Sequence, residues 1–375
     1  MRIAFYAPLK PPTHATASGD RRVAGLMMDA LERIAEQIEL VSTFRSFDAD
    51  GDAERQGALR RQGEALAQRL ASGWRAGPAR LRPTLWFTYH VYYKAPDWLG
   101  PPVSAALGIP YVIAEASYAE KRAGGPWAVG HEAAAEAINR ARLVLSPSRD
   151  DLAGLKEVVA AERLVHLPPF LDPAPYHAAA KERAAHRARL AREQRLDPAV
   201  PWIAVVAMMR PGDKLASYRS LAASLARVAD LPWRLVVAGD GSASREVQAA
   251  LEQAAPGRAC FLGSLDTRQV AAMCTACDLY AWPAVNEAYG MAMLEAQAAG
   301  LAVVSVAKRG VPDVVVDGRT GVLVKSEDEL AEAIGGLLRN PERRSALGRE
   351  AAAFVSDERS LEAAARRLQG LLSAL

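Results

Sequence analysis

The sequence is poor in cysteine, in net charge and in long apolar runs, and each shortage removes a class of protein. Three cysteines in 375 residues exclude a disulfide framework. A formal charge of only +3 excludes a chain that binds nucleic acid through its overall charge. No apolar run reaches the ~18 residues of a membrane-spanning helix, and the first residues carry no signal-peptide pattern. We therefore expect a soluble, cytoplasmic protein.

Short apolar runs alternate with helical patterns along the chain. The runs are rich in Val, Ile and Leu and do not alternate with polar residues, which is typical of strands buried on both faces of a parallel sheet. Two series of such runs predict two facing, doubly wound, Rossmann-like α/β domains. The runs are Ile3–Tyr6, Ile38–Ser42, Leu85–Thr88, Tyr111–Ala114, Leu143–Leu145, Leu164–Leu167, Trp202–Met208, Arg234–Ala238, Cys260–Leu262, Leu279–Trp282, Ala302–Val306 and Val322–Val324.

Prolines mark the boundary between the two series. The four prolines between 168 and 175 cannot lie inside a helix, because proline lacks the backbone donor and clashes with the preceding turn. We place one domain at 1–172 and the other at 173–357. Residues 358–375 carry a helical pattern with no strand after it, and this terminal helix can pack back on the N-terminal domain.

The stretch from Trp282 to Gly300 is the richest in potential chemistry. It predicts a strand end, a loop, and a helix that begins near Gly290 and stops at Gly300. A glycine at a helix start leaves free N–H groups at the positive end of the dipole, which suits a diphosphate. Glu287 lies in the loop and Glu295 about 7.5 Å along the helix from Gly290, so the two carboxylates can reach a sugar and a ribose. Taken alone, Glu287 is also explained as a first-turn acid that stabilises the helix dipole, and Glu295 as a solvated helix residue.

Glu287 and Glu295 stand within the pattern Pro…Glu-Ala-Tyr-Gly-Met…Glu-Ala…Ala-Gly. In this arrangement the stretch resembles the acidic motif of the GT4 family, the retaining glycosyltransferases of the GT-B fold. The segment 303–323, with Arg-Gly-Val-Pro-Asp-Val-Val at its centre, is similar to the same family. So is the sequence Val-Val-Ala-Gly-Asp-Gly that ends at Gly241 and is followed by Phe-Leu-Gly ending at Gly263.

The resemblance implies a role for each residue of the motif. Glu295 would hold the donor ribose, and Glu287 would contact the hydroxyls of the donor sugar. Lys214 and Arg210, after the first strand of the second domain, would neutralise the departing diphosphate. Backbone amides at the helix start would take the distal phosphate. The donor-binding positions of the second domain besides Glu295 are Gly239, Gly263, Tyr289, Gly290, Met291 and Ala292.

Candidates in the N-terminal domain follow the ends of predicted strands, where ligands of open α/β sheets collect. Gly19 and Asp20 follow the first strand, in the loop that the family resemblance places against the donor phosphates and the acceptor, and Asp20 also suits the N-cap of the next helix. His90 and Glu115 each end a strand. The segment around Glu115 is similar to that of lipopolysaccharide-core glucosyltransferases, so Glu115 is the first candidate for organising an acceptor hydroxyl and His90 the second. A purely structural histidine is the alternative for His90.

The resemblance therefore implies a glycosyltransferase of the α/β GT-B class, with the acceptor on the N-terminal domain and a nucleotide sugar, UDP-linked first, on the C-terminal one. Transfer with retention would need no cofactor and no metal, because Arg210, Lys214 and the helix amides can carry the phosphate charge. The product would be a glycan, a glycolipid or an envelope polysaccharide. Two alternatives stay open: a sugar-nucleotide 2-epimerase of the same fold, and a degenerate partner protein that binds a nucleotide sugar without catalysis.

Two further signals carry less weight. Cys274 and Cys277 form a CxxC without other zinc ligands, so we expect them to pack inside the fold. The segments 54–82 and 181–195 are rich in arginine. Solvated helix faces are the default explanation of both. For the first, contact with the anionic inner face of the cytoplasmic membrane is a further hypothesis, and we expect neither to bind nucleic acid.

Overall fold

The computed structural model describes residues 1–16 and 18–375. The chain divides into two compact units, of which unit 1 comprises Met1–Pro168 with Leu361–Leu375 and unit 2 comprises Pro169–Ser360. The sequence boundaries at 172/173 and 357/358 therefore differ from the observed ones by four and three residues. Each unit holds one six-stranded sheet.

Unit 1 is a parallel sheet in the order β2-β1-β3-β4-β5-β6. Its large apolar side chains, among them Phe5, Trp86 and Phe87, are fully buried in the strands. The strands are β1 (Arg2–Tyr6), β2 (Gln37–Ser42), β3 (Leu85–Val91), β4 (Tyr111–Ala116), β5 (Leu143–Ser146) and β6 (Leu164–His166). The helices are α1 (Gly19–Glu32), α2 (Ala53–Ala76), α3 (Gly100–Leu107), α4 (Ala128–Arg140) and α5 (Arg149–Leu155), with short 3-10 turns at Ala79–Leu81, Glu120–Arg122 and Ala161–Arg163.

Unit 2 is a parallel sheet in the order β12-β11-β10-β7-β8-β9. Its strands are β7 (Trp202–Val206), β8 (Arg234–Ala238), β9 (Ala259–Phe261), β10 (Leu279–Trp282), β11 (Ala302–Val306) and β12 (Gly321–Val324). Its helices are α6 (Ala174–Lys181), α7 (Arg183–Gln194), α8 (Asp213–Ala226), α9 (Ser244–Ala254), α10 (Thr267–Ala276), α11 (Met291–Ala298), α12 (Val311–Val314), α13 (Glu327–Arg339) and α14 (Pro341–Glu358).

The last helix, α15 (Leu361–Leu372), completes unit 1. It packs against α1, with Leu361, Leu368 and Leu372 buried. An exposed ion pair of 3.1 Å between Arg33 and Glu362 lies beside this contact. The apolar periodicity of the C-terminal segment is thus used to cover the first helix of the chain.

All twelve apolar runs form strands, as the sequence predicts. The carboxyl ends of parallel strands share one edge of a sheet, and ligands bind there at the point where the strand order reverses. That point lies between β1 and β3 in unit 1 and between β7 and β10 in unit 2. The predicted site residues follow these strands.

Two other expectations concern helices and cysteines. On α2, Leu66, Leu70 and Trp74 pack against the core of unit 1, so the apolar side of this basic helix is used inside the fold. Cys274 and Cys277 are fully buried, as expected. Across residues 1–16 and 18–375, no helix combines the length and the apolar content needed to cross a bilayer.

Gly348 and Gly336 provide a matched test of the packing in unit 2. A Cβ at Gly348 in α14 would lie 2.2 Å from the carbonyl oxygen of Gly300, whereas a Cβ at Gly336 in α13 would meet nothing within 4 Å. We expect Gly348→Ala to lower the free energy of unfolding by about 1–3 kcal/mol through overpacking. Gly336→Ala should raise it by up to about 1 kcal/mol through helix propensity. Urea denaturation followed by circular dichroism measures both, and a stable Gly348→Ala variant would contradict the packing.

Candidate functional site

Lys214 and Glu287, which the sequence places far apart, form an ion pair in unit 2. Nζ of Lys214 donates to Oε2 of Glu287 and lies 5.7 Å from the centre of the Trp282 ring. The two charged side chains are 26% and 18% exposed. Lys214 lies in the first turn of α8, after β7, and Glu287 lies in the loop after β10. The contact therefore follows from the adjacency of these two strands.

The loop that carries Glu287 is docked on α8 by the two residues before it. The N–H of Val285 donates to Oγ of Ser217 at 3.0 Å, and Nδ2 of Asn286 donates to Oδ2 of Asp213 at 2.9 Å. Asp213 and Ser217 are four positions apart, so they lie on one face of the helix. Ser217 is fully buried. Three consecutive loop residues thus contact the first turns of α8.

The helix after this loop begins as the sequence predicts, at Gly290. This residue is the N-cap of α11, with φ of 75° and, in the described part of the chain, no side chain capping the helix. A Cβ at Gly290 would lie 2.2 Å from Cε of Met293 and 3.3 Å from Cγ of Glu287. The N–H groups of Met291 and Ala292 therefore belong to an uncapped helix start beside Glu287, where the dipole favours an anion.

Glu295 is only 3% exposed on α11. The interpretation of this acid as a solvated helix residue is therefore wrong. A buried carboxylate is rare unless other groups compensate it, and Glu295 does interact with neighbouring groups. The helix ends as expected, because Gly300 adopts φ of 81° and its N–H donates to the carbonyl of Gln297 at 2.9 Å.

The other predicted donor positions lie in neighbouring loops of unit 2. The N–H of Gly239, after β8, donates to the carbonyl of Gly263, after β9, at 2.8 Å. Gly239 has φ of 145°, and a Cβ there would lie 1.9 Å from the carbonyl oxygen of Ala207, so close backbone packing requires this glycine. Tyr289 is half-buried, and Arg210 is exposed in the loop before α8. The structure brings Lys214, and not the side chain of Arg210, into contact with Glu287.

In unit 1 the structure brings Asp20, His90 and Glu115 together. Nδ1 of His90 lies 3.1 Å from Oδ1 of Asp20 and 3.5 Å from Oε1 of Glu115. The buried Tyr89 donates its hydroxyl to Oε2 of Glu115 at 2.8 Å. His90 and Glu115 have φ of 64° and 61°, the left-handed region that non-glycine residues seldom occupy. Backbone strain of this kind clusters at ligand sites.

These neighbours set the charges of the cluster. Burial lowers the pKa of His90, but the charge of Glu115 and the hydrogen bond and charge of Asp20 outweigh it and raise the pKa above its usual value. Burial raises the pKa of Asp20, but the hydrogen bond and charge of His90 bring it below its usual value. One ligand atom from each of the three residues lies within 4.8 Å of the others. The cluster can therefore hold either a proton on His90 or a cation shared by the three side chains.

The N-cap prediction for Asp20 is wrong. Ser18 is the N-cap of α1: its backbone is extended, and its Oγ accepts from the N–H of Arg21 at 3.2 Å. Asp20 lies in the first turn with its carboxylate directed to His90. Gly19 is the exposed first residue of the helix.

The sequence did not reveal Asn286, Ser217 or Tyr89 as parts of these clusters. Asparagine tolerates the left-handed backbone better than most residues, and Asn286 has φ of 52°. An asparagine directly before Glu287 was therefore the one sequence signal for this loop contact. Ser217 lies within α8 and Tyr89 within β3, where their residue types are ordinary. Their partners are 68 and 26 residues away in the chain.

Two doubly wound units with charged clusters at the carboxyl ends of their sheets are typical of Rossmann-like folds, which bind ligands at that edge. Residues 203–354 match the model of the family described as glycosyl transferases group 1, which confirms the resemblance found in the sequence. A D-inositol 3-phosphate glycosyltransferase of Nocardia farcinica is 30% identical over 232 residues, 58% of this chain and 50% of that protein. One of Corynebacterium aurimucosum is 38% identical over 113 residues, 30% of this chain and 27% of that protein. The chain spans half or less of the length of these curated relatives.

Solved structures match the whole chain. A glycosyltransferase of Rickettsia africae has a TM-score of 0.75 at 13% identity, covering 100% of this chain and 98% of that one. The Anabaena protein HepE, solved in complex with UDP, has a TM-score of 0.73 at 16% identity, covering 100% of both chains. Likeness at this identity concerns the fold alone, and it confirms the predicted α/β fold of the GT-B type.

The charge of Glu115 gives a test of the cluster in unit 1. We expect Glu115→Gln to lower the pKa of His90, because it removes one of the negative charges that oppose the effect of burial. Because the pKa of His90 is raised in the folded state, protonation of His90 stabilises the fold at pH values below the ordinary histidine pKa of about 6.5. This stabilisation is lost as the pH rises through the folded-state pKa of His90. NMR titration of the histidine ring protons, with a chelator present to remove cations, measures the shift.

The exposed Glu120 supplies the control for this titration. Glu120→Gln should leave the pKa of His90 unchanged. An unaltered His90 pKa in Glu115→Gln would show that the two side chains are not close neighbours in solution.

Proposed function

We propose that this protein is a glycosyltransferase that moves a sugar from a nucleotide-sugar donor to an acceptor hydroxyl. The observation that carries the proposal is the Lys214–Glu287 pair beside the uncapped start of α11. A sugar diphosphate presents hydroxyls next to phosphates. An ammonium group suits the phosphates and a carboxylate accepts from the hydroxyls, so each member of the pair has a partner on such a donor.

The phosphate charge would be shared by several groups of unit 2. The amides of Met291 and Ala292 point out of an uncapped helix start, where the dipole adds to the effect of Lys214. Arg210 lies exposed in the loop before Lys214 and would be drawn in by the diphosphate. In this proposal these groups carry the charge that develops as the diphosphate leaves, and neither a metal nor a cofactor is required.

Glu295 would hold the ribose of the nucleotide. It lies five residues beyond Gly290, about 7.5 Å along the helix axis, and a carboxylate at that reach from a phosphate site can accept from ribose hydroxyls, as in dinucleotide-binding folds. A UDP-linked sugar is our first choice of donor. The support is that HepE was also solved with UDP-glucose, in a second structure that shares the fold of this chain with a TM-score of 0.69.

Transfer would proceed with retention. The acceptor hydroxyl would attack the anomeric carbon from the face of the leaving group as the bond to the phosphate oxygen breaks, and its proton would pass to that departing phosphate. Glu287 would position the donor sugar without forming a covalent bond. In unit 1, Glu115 would organise the acceptor hydroxyl, with His90 as the second candidate.

A role in glycan, glycolipid or envelope polysaccharide synthesis on the inner face of the cytoplasmic membrane fits this chemistry. Arg55, Arg61 and Arg69 of α2 are exposed. Since the apolar side of this helix packs inward, contact with anionic lipid would depend on charge alone. Flotation with anionic vesicles at low and high salt measures that contact, and binding that resists salt would contradict a purely electrostatic attachment.

Lys214→Ala and Glu287→Gln test the donor site. Each variant should reduce transfer from the donor at least tenfold while the protein stays folded, because each removes a group that acts on the transition state. NMR of the product follows the rate and shows whether the anomeric configuration of the donor is retained. A chelator should not change the wild-type rate.

The exposed Lys325, elsewhere in unit 2, supplies the control. Lys325→Ala should transfer at the wild-type rate. Near-wild-type transfer by both site variants would end the assignment. Conversion of the donor sugar to its 2-epimer without an acceptor would indicate the epimerase instead.

A further inference from the structure

Asn286 lies between two opposite charges at the carboxyl edge of the sheet in unit 2. Its Nδ2 donates to Oδ2 of Asp213 at 2.9 Å, and its Oδ1 accepts from Nη1 of Arg309 at 2.8 Å. The three residues follow β7, β10 and β11, which are neighbours in the sheet. One amide thus joins the three segments that follow β7, β10 and β11.

The chemistry of the amide matches both partners. The carboxylate of Asp213 can only accept and the guanidinium of Arg309 can only donate, so the group between them must offer a donor on one side and an acceptor on the other. The dipole of the Asn286 amide is aligned between the two charges, and both hydrogen bonds are charge-assisted. The left-handed backbone of Asn286, with φ of 52°, is one that asparagine adopts more readily than most residues.

This bridge runs beside the ion pair of the candidate site. Asp213 precedes Lys214 in the chain, and Asn286 precedes Glu287. The same two segments are therefore joined twice, once by Asp213 with Asn286 and once by Lys214 with Glu287. If Lys214 and Glu287 bind a ligand, the ion pair between them must open, whereas the hydrogen bond between Asp213 and Asn286 can stay closed.

We propose that Asn286 is a positioning residue that holds the loop carrying Glu287 against the first turn of α8, which carries Lys214, with Asp213 and Arg309 acting through its amide. The inference rests on the proposed glycosyltransferase function for its kinetic consequence. Its structural consequence, a loop over residues 283–290 held on α8, is independent of that function.

The test exchanges the two partners of one hydrogen bond. Asn286→Asp places two carboxylates face to face and should lower kcat at least tenfold, with a smaller change in KM for the donor. Asp213→Asn keeps a neutral hydrogen bond and should stay within threefold of wild type. In the double variant Asn286→Asp with Asp213→Asn, the new amide donates to the new carboxylate, which still accepts from Arg309, so kcat should return to within threefold of wild type.

Asn340 supplies the matched control. It caps α14 by accepting from the N–H of Arg343 at 2.9 Å, a role that aspartate fills equally well. Asn340→Asp should therefore leave kcat and KM unchanged. The exchanged pair would also repair a fold weakened by the two carboxylates, so the unfolding temperature of Asn286→Asp separates positioning from loss of fold. We expect it to match the wild-type value, and a large drop would overturn the inference.

Hydrogen–deuterium exchange of the peptide over residues 283–292 gives a readout that needs no activity. Exchange should be faster in Asn286→Asp and return to the wild-type rate in the double variant. Unchanged exchange in Asn286→Asp would overturn the inference whether or not the protein is active. Wild-type kcat in Asn286→Asp would overturn it while leaving the proposed function intact, and an inactive wild type would refute the proposed function alone.

Discussion

The candidate donor site depends on one contact, the docking of the loop after β10 on the first turns of α8. Three consecutive loop residues meet α8 through a backbone N–H, an amide and a carboxylate. Because α8 starts one loop after β7, its first turns are fixed to the sheet. The docked loop in turn fixes where α11 begins, and so where its uncapped N–H groups point.

The ion pair within this contact is better explained by binding than by stability. Lys214 and Glu287 are partly exposed, and exposed pairs contribute only about 0–1 kcal/mol. In the proposed function they supply a cation and an anion at the strand-order reversal of a parallel sheet, where the fold leaves a crevice for ligands. Unit 1 repeats the arrangement at its own reversal, where His90 lies between the carboxylates of Asp20 and Glu115.

The sequence predicted the parts of this structure that depend on local pattern. Buried apolar runs mark strands because a parallel sheet is covered on both faces, and Gly290 and Gly300 mark the ends of α11 because their φ angles favour glycine. The sequence could not show which loop lies on which helix. The bond from Val285 to Ser217 spans 68 residues, and the left-handed backbone of Glu115 arises from the surrounding sheet and not from residue type. Ser18 and not Asp20 caps α1, and the Asp20 carboxylate instead meets His90, 70 positions along the chain.

The central claim is that unit 2 binds a nucleotide sugar through the segment from Glu287 to Glu295. Thermal unfolding of the purified protein with UDP-, GDP- and ADP-sugars tests it most directly. A donor at a hundred times its Kd stabilises the fold by about 2.7 kcal/mol. We expect a UDP-sugar to raise the unfolding temperature and Glu295→Gln, if it unfolds at the wild-type temperature without ligand, to abolish that rise. An unfolding temperature unchanged by every nucleotide sugar would contradict the claim.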